Sequence, residues 1–235
     1  MVVINVGPLR IVELGVASNH PVARSLATGS SDERSWSFKL ALVAATDRNR
    51  WDERYTNLGP PPLSAIEPPR ILAPHADTFP TRGRALDIAC GQGLGAVWLA
   101  RRGLDVLGLD ISPVAISHAR DLAERSGVGD RCRFEVADLD DGLPAGPPAD
   151  VILCHKFRDR RLDEEIIGRL APGALLAIVV RSEVGGAPGP FRAAAGELPA
   201  AFAALDLLAA GEADGCAWLL ARARDSGFQP SANCN

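Results

Sequence analysis

Short apolar runs alternate with longer helix-like stretches through most of the chain after residue 81. This alternation is typical of βαβ units, which build a mostly parallel sheet. The predicted strands are Ala85–Ala89, Asp105–Leu109, Cys132–Val136, Asp150–Cys154 and Ala174–Val180. The predicted helices between them are Leu94–Arg102, Pro113–Ser126 and Arg161–Leu170.

The pattern changes after the fifth strand. Two strand-like runs, Ala204–Ala210 and Cys216–Ala223, flank Gly211–Gly215, whose composition suits the turn of an antiparallel hairpin. Five strands with crossover helices and a terminal hairpin predict an α/β fold. We expect a Rossmann-like three-layer αβα sandwich around a mostly parallel, seven-stranded sheet. The segment Arg181–Glu197 is predicted to be a loop that flanks a ligand pocket.

The first 80 residues lack this regularity. Residues 1–50 show no clean period, and we expect a poorly ordered arm with a short helix near Phe38–Ala45. Helices are predicted at Trp51–Tyr55 and Leu63–Ala76. The predicted parts are therefore the arm 1–50, a helical lid 51–80, the main domain 81–225 and a flexible tail 226–235.

Composition narrows the classes of partner. The 235 residues carry a net charge of −4, whereas chains that bind phosphate backbones usually carry a basic excess, so nucleic acid is disfavoured. No run approaches the roughly 20 apolar residues of a membrane span. The five cysteines are odd in number and widely spaced, which indicates reduced thiols and no metal site. We expect a cytoplasmic protein that is a monomer or homodimer.

The first predicted strand runs into a glycine-rich turn. Gly91, Gly93 and Gly95 follow a G-x-G-x-G pattern, and Asp87 lies four positions before the first glycine. Glycines allow a sharp turn and close approach to a ligand. A dinucleotide site has G-x-G-x-x-G instead, and the carboxylate would repel a pyrophosphate but attract an ammonium group. The turn therefore disfavours a nicotinamide-dependent oxidoreductase.

Acidic residues also end the next two strands. Asp110 is placed to accept hydrogen bonds from both hydroxyls of a ribose, although it could instead cap the following helix. Asp138 could accept a hydrogen bond from an exocyclic amine while Leu139 packs on a purine, although turn propensity alone would also place Asp there. Together with Asp87 and the glycine turn, they form a stronger pattern than any one part.

This pattern resembles the class I S-adenosylmethionine (SAM)-dependent methyltransferases over residues 51–224. The resemblance implies the strand order 3-2-1-4-5-7-6, with SAM as cofactor and S-adenosyl-L-homocysteine (SAH) as product. It also implies that the glycine turn holds the methionine portion, Asp110 the ribose and Asp138 the adenine.

Within that family, the chain is most similar to small bacterial enzymes of the tellurite-resistance and thiopurine type. Their W-x-x-R-Y segment corresponds to Trp51, Arg54 and Tyr55. The resemblance implies that Arg54 pairs with the methionine carboxylate, and Trp51 is equally suited to be a core anchor. The residues predicted to bind the cofactor are Trp51, Arg54, Tyr55, Asp87, Ala89, Cys90, Gly91, Gly93, Gly95, Asp110, Ile111, Asp138, Leu139 and Cys154.

The methyl acceptor is expected at the end of the fourth strand, where the sequence reads HKFR at residues 155–158. This is not the N/D-P-P-Y/F motif of enzymes that methylate amino groups of DNA bases. His155 is a candidate general base, or a packed residue after a strand. The predicted acceptor contacts are His155, Phe157, Arg158 and Phe191.

The sequence therefore predicts a SAM-dependent methyltransferase. The expected acceptor is a small molecule whose sulfur, oxygen, nitrogen or metalloid nucleophile takes the methyl group by in-line displacement. The alternative is a non-catalytic, SAM-binding regulatory protein.

Overall fold

The structure is a computed structural model that describes residues 46–225 apart from residues 188 and 190. The predictions for residues 1–45 and for the tail 226–235 lie outside the described residues. The helix predicted at Trp51–Tyr55 is longer and spans residues 46–58, so it begins inside the predicted arm. We call this helix α1.

The prediction of one helix over Leu63–Ala76 is wrong. Two 3-10 segments occupy this region, Leu63–Ala65 and Arg70–Thr78. Pro68 and Pro69 separate them, and proline lacks the N–H donor of a continuous helix and restricts the residue before it.

One sheet forms the centre of the described domain. Its strands are β1 (Arg84–Ile88), β2 (Asp105–Asp110), β3 (Cys132–Val136), β4 (Ala149–His155), β5 (Leu170–Ser182), β6 (Arg192–Ala193), β7 (Asp206–Ala213) and β8 (Cys216–Arg222). The order is β3-β2-β1-β4-β5-β8-β7, with the two-residue β6 paired to β5. β8 is antiparallel to both of its neighbours, β5 and β7, and the other pairings in the described sheet are parallel. With β6 set aside, this is the predicted order, which is confirmed.

Helices cover both faces of the sheet. They are α2 (Leu94–Arg101), α3 (Pro113–Arg125), α4 (Asp163–Arg169) and α5 (Glu197–Ala201). Side chains of β5 alternate between two buried clusters: Leu175 belongs to the cluster that includes residues of α2 and α3, and Leu176 to the cluster that includes residues of α4 and α5. Because successive strand residues point to opposite faces, these clusters are the two sides of an αβα sandwich. The predicted fold class is confirmed.

The region after β5 is more regular than predicted. β5 continues to Ser182, where Arg181 pairs with both Arg192 of β6 and Cys216 of β8. The predicted loop Arg181–Glu197 therefore begins and ends in secondary structure. Its first residues are ordered by backbone pairing of β5 with β6 and β8. Such pairing leaves no apolar pattern in the local sequence.

The terminal hairpin turns on two residues. β7 reaches Ala213, beyond the predicted strand end, and Asp214 and Gly215 have φ values of 52° and 71°. Two successive residues with positive φ are typical of the I′ turn of a tight hairpin.

Gly103 offers a test of backbone packing at the turn from α2 into β2. Its φ is +106°, and an added Cβ would lie 2.3 Å from the Thr81 carbonyl oxygen. Gly127 also has positive φ, +69°, but the space around it is open. We expect Gly103→Ala to lower the free energy of unfolding by about 3 kcal/mol and Gly127→Ala by about 1 kcal/mol. Urea denaturation measures both, and equal losses would contradict the steric explanation.

Candidate functional site

The glycine turn between β1 and α2 winds through the left-handed region. Ala89, Gly91 and Gly93 have φ values of 53°, 54° and 79°. The Cys90 N–H donates to the Leu109 carbonyl oxygen at 2.8 Å, which ties the turn to β2. Positive φ at Ala89 is uncommon for a residue with a Cβ and is a form of strain that concentrates at ligand sites.

Asp87 is buried directly beneath this turn. Its side chain is on the same face of the sheet as α2, and the residue is only 2% exposed. Burial raises the pKa of the Asp87 carboxyl to about 8, with a smaller rise from Asp110 and an opposing hydrogen bond from the Ala96 backbone. No cationic side chain within the described residues forms an ion pair with it. A cationic ligand group would therefore be favoured here.

Asp110 ends β2 and organises the turn. The Gly91 N–H donates to its Oδ2 at 2.8 Å, and the Ser112 N–H donates to its Oδ1 at 3.0 Å. Burial raises the pKa of Asp110, and these two hydrogen bonds oppose the rise. Each carboxylate oxygen retains capacity to accept another hydrogen bond, which suits the two hydroxyls of a ribose. The cap of α3 is Ser112, which accepts the Ala115 N–H, so the capping alternative does not describe Asp110.

Helix α1 is connected to this centre through polar contacts that the sequence did not indicate. The Ser112 hydroxyl donates to the Asp52 carboxylate, and the Gln92 amide donates to the Gly59 carbonyl oxygen at 2.6 Å. The same Gln92 nitrogen lies 2.9 Å from Nδ1 of His118 in α3. The one available signal was position, since Asp52 lies inside the W-x-x-R-Y segment and Gln92 between two glycines of the turn.

The aromatic residues of α1 divide between two roles. Tyr55 lies against the turn, where a Cβ on Gly91 would meet its hydroxyl at 2.9 Å. Burial raises the pKa of Tyr55, and Asp110 raises it further. Trp51 stacks on Tyr55 at 5.8 Å between centroids and is absent from both buried clusters. The exposed Arg54 lies over the Trp51 ring at 5.7 Å.

Three further residues predicted to bind the cofactor follow the ends of β2 and β3, and not all of them are accessible to a ligand. Asp138 Oδ1 accepts the Asp140 N–H at 3.0 Å and so caps a 3-10 turn, as turn propensity alone would predict. Leu139 is buried in the cluster on the α4 and α5 face. Ile111 follows Asp110 and is half-buried. Of these three, Asp138 and Ile111 retain an exposed surface that a nucleoside could contact.

The predicted cysteines are protonated and shielded. Cys154 belongs to the cluster on the face opposite Asp87, and its thiol donates to the Phe157 carbonyl oxygen at 3.2 Å. Burial raises the pKa of Cys154 to about 12 and raises that of Cys90 as well. Both thiols are therefore neutral at physiological pH and unsuited to act as nucleophiles.

His155 ends β4 on the face that also carries Asp87. Burial lowers the pKa of His155 to about 4, and the neighbouring Lys156 lowers it further. Beyond it, the rings of Phe157 and Phe191 stack with centroids 6.3 Å apart, and Phe191 is 44% exposed. The structure thus brings an aromatic pair and a neutral imidazole to the predicted acceptor end of the sheet.

Arg158 differs from its prediction as an acceptor contact. Its guanidinium is buried and forms two hydrogen bonds to Asp163, at 2.5 and 2.7 Å, and one to Glu197 at 2.7 Å. These contacts join the segment after β4 to α4 and α5. We therefore interpret Arg158 as a structural residue, because its donors are directed at protein carboxylates.

Comparison with known proteins identifies the domain. Residues 85–173 match a protein family described as a methyltransferase domain. A ribosomal protein L11 methyltransferase of Tolumonas auensis is 33% identical over 43% of this chain and 35% of its own length. The 2-heptyl-1-hydroxyquinolin-4(1H)-one methyltransferase of Mycobacteroides abscessus is 30% identical over 51% of this chain and 56% of its own. The chain thus spans about a third to just over half the length of these relatives.

The fold comparison agrees with this match. The crystal structure of TehB from Haemophilus influenzae aligns with a TM-score of 0.58 at 19% identity, over 66% of this chain and 62% of that one. The family match over residues 85–173 and the shared fold support the predicted class I SAM-dependent methyltransferase, and the predicted resemblance to the TehB type is confirmed at the level of the fold. SAM is the cofactor of this class, as predicted.

Membrane-spanning helices and metal clusters are two other features that could indicate function. Among residues 46–225 that the structure describes, no helix has the length and apolar character needed to cross a membrane. Within the same residues, no group of three or more His, Cys, Asp or Glu side chains is arranged to hold a metal ion.

The buried Asp87 gives a pH-dependent prediction for the cofactor-free protein. Its pKa in the folded state, about 8, lies above the ordinary value of 3.8, so the folded state retains a proton that the unfolded state loses. The contribution of Asp87 to stability therefore falls as pH rises from about 4 to about 8. We expect Asp87→Asn to raise the free energy of unfolding by roughly 1–3 kcal/mol at pH 8, and by less at pH 5.

Urea denaturation at pH 5, 6, 7 and 8 would measure the difference between the variant and the native protein. Asp77→Asn is the matched control, because Asp77 is exposed and forms no hydrogen bond or ion pair within the described residues. A gain from Asp87→Asn that does not grow with pH would show that Asp87 is ionised in the folded state.

Proposed function

We propose that the protein is a SAM-dependent methyltransferase that acts on a small-molecule acceptor. The observation that carries the proposal is a buried Asp87 without a cationic partner, located below a G-x-G-x-G turn that Asp110 holds in place. When bound, SAM supplies a methyl group on a positively charged sulfonium, which a nucleophile can displace in line.

The residues present fit this cofactor. Asp87 supplies negative charge below the turn for the cationic amino-acid portion, and Asp110 supplies two carboxylate oxygens for the ribose. Gly91 packs against Tyr55, since an added Cβ would lie only 2.9 Å from the Tyr55 hydroxyl, so a side chain there would displace the residue that faces the turn from α1. Tyr55 would cover the bound cofactor from the side of α1.

The acceptor is proposed to lie at the ends of β4 and β5. The half-buried Phe157 and the exposed Phe191 stack there, and His155 provides a hydrogen-bonding imidazole. Two observations support a small-molecule acceptor: the net charge of −4, which disfavours nucleic acid, and the hydroxyquinolinone in the name of one relative. Other relatives act on macromolecules by name, so the acceptor class requires a direct test.

The environment of His155 favours a positioning role over general-base catalysis. A base is most effective when its pKa lies near the working pH, whereas burial holds the pKa of His155 near 4. The imidazole is therefore neutral throughout the physiological range. It can form one hydrogen bond with the methyl acceptor, as donor or as acceptor of the bond, and so align the nucleophile.

We also propose a cytoplasmic location, because the four described cysteines are free.

Calorimetric titration with SAM, SAH and NAD tests the cofactor assignment. We expect micromolar binding of SAM and SAH and no binding of NAD. Asp110→Ala should weaken SAM binding by about 1.5–3 kcal/mol, the range for hydrogen bonds to a charged group. Asp105→Ala, at the exposed start of the same strand, is the matched control and should bind SAM like the native protein.

Failure of SAM to bind a folded sample would overturn the proposal. Binding without turnover on a panel of thiols, phenols, heterocycles and metalloid oxyanions would favour the non-catalytic SAM-binding alternative. SAH formation in the presence of one such acceptor would establish transfer.

His155→Gln separates alignment from proton removal. If His155 only positions the acceptor, kcat should fall about fivefold, the effect of one neutral hydrogen bond. The profile of kcat/KM between pH 5.5 and 8 should keep its shape, because a group with a pKa near 4 does not titrate there. A loss of about a hundredfold or more, together with an inflection that disappears in the variant, would identify a general base.

A further inference from the structure

Charge divides the carboxyl edge of the sheet into two halves. Asp87 and Asp110 lie at the ends of β1 and β2, and Asp138 follows β3. β4 runs directly into Lys156, and Arg181 lies one residue before the end of β5. The half proposed to bind a cationic cofactor is acidic, and the half proposed to bind the acceptor is basic.

Strand register brings Lys156 and Arg181 to the same place. His155 is the register partner of Val179, and the Lys156 N–H donates to the Val179 carbonyl oxygen at 2.6 Å. Arg181 lies two residues beyond Val179 on β5. Since side chains alternate along a strand, Arg181 shares the face of Val179 and His155.

Cys216, the first residue of β8, lies beside Arg181. Arg181 is the register partner of Cys216, which belongs to the same face. Burial raises the pKa of the Cys216 thiol, and the Lys156 ammonium is close enough to oppose that rise. The same ammonium also lowers the pKa of His155 at the end of β4, and β4 and β8 lie on either side of β5.

Both cations are available for a ligand. Lys156 and Arg181 are exposed, and neither side chain forms a hydrogen bond or ion pair among the residues described. Glu183 lies two residues after Arg181, and Asp214 lies two residues before its register partner Cys216, but neither acid forms an ion pair with Lys156 or Arg181. The nearby Arg158, by contrast, is saturated by protein carboxylates.

The backbone of Lys156 is also held in an uncommon conformation. Its φ is 67°, in the left-handed region that a non-glycine residue rarely adopts. Such strain persists where surrounding contacts impose it, here including the hydrogen bond to Val179. These contacts fix the Lys156 backbone at the strand end, from which its exposed side chain extends.

We propose that the acceptor is a small carboxylate whose anionic group binds between Lys156 and Arg181. This inference rests on the proposed methyl transfer. A bond forms between the acceptor nucleophile and the methyl carbon, and the bond from that carbon to sulfur breaks, with its electron pair left on the sulfur of SAH. A proton on the nucleophile, if one is present, passes to solvent. The carboxylate anchors the acceptor beside the aromatic pair of Phe157 and Phe191.

Two matched pairs of probes test the anionic site: salicylate with salicylamide, and 3-mercaptopropionate with 3-mercaptopropionamide. Each pair differs mainly in the negative charge. Calorimetry at pH 7, with and without SAH, should show at least one carboxylate binding about tenfold more tightly than its amide. Lys156→Gln and Arg181→Gln should each reduce that preference by about threefold, and the double variant should abolish it.

Arg82→Gln is the matched control. It removes an exposed arginine just before β1, at the opposite edge of the sheet, and should leave the preference intact. Equal affinity for acid and amide in both pairs, absence of binding at millimolar concentration, or a preference unchanged in the double variant would overturn the inference.

The two proposals fail separately. SAH binding without a preference for carboxylates would contradict the proposal of an anionic acceptor and leave the methyltransferase proposal intact. A carboxylate preference that depends on Lys156 and Arg181, in a folded protein that binds neither SAM nor SAH, would support the anionic site and contradict the cofactor proposal. Circular dichroism of each variant confirms that it is folded.

Discussion

The Asp110 carboxylate is the interaction on which the rest of the site depends. One oxygen accepts the Gly91 N–H and the other accepts the Ser112 N–H, so a single side chain connects the glycine turn to the start of α3. Ser112 extends the connection, because its hydroxyl caps α3 and donates to Asp52 of α1. Helix α1, which is predicted to cover the cofactor, is therefore connected through Ser112 to Asp110, the carboxylate that is predicted to bind the ribose.

This arrangement places ligand binding in opposition to stability. Asp87 and Asp110 are both buried, and burial raises the pKa of each. An acid that pairs with no protein cation favours its neutral form in the empty site, whereas a cationic ligand favours the charged form. The strained backbone at Ala89 adds to the same opposition. The site is therefore preorganised for a cation by features that a protein selected only for stability would lack.

The parts of the fold that were predictable are those with local signatures. Strand β3 was predicted to its observed bounds, Cys132–Val136, because its sequence CRFEV alternates apolar and polar residues, as a strand at the edge of a sheet does. The extension of β5 and the short β6 were not, because Arg181 and Arg192 pair with each other and Arg181 also pairs with Cys216 of β8, contacts that leave no apolar pattern in the sequence. Asp110 and the glycine turn were recognisable as a motif, but the links through Asp52 and Gln92 are tertiary contacts without a motif.

The segment HKFR shows why the acceptor end was harder to interpret than the cofactor end. Its two cations look equivalent in sequence, yet Arg158 is turned inward to Asp163 and Glu197, whereas Lys156 stays exposed. That division depends on α4 and α5, which follow later in the chain. In-line methyl transfer needs alignment and exclusion of water more than particular catalytic groups, so no fixed motif is required there. Charge that the fold leaves unpaired is then a better guide to the acceptor than residue type.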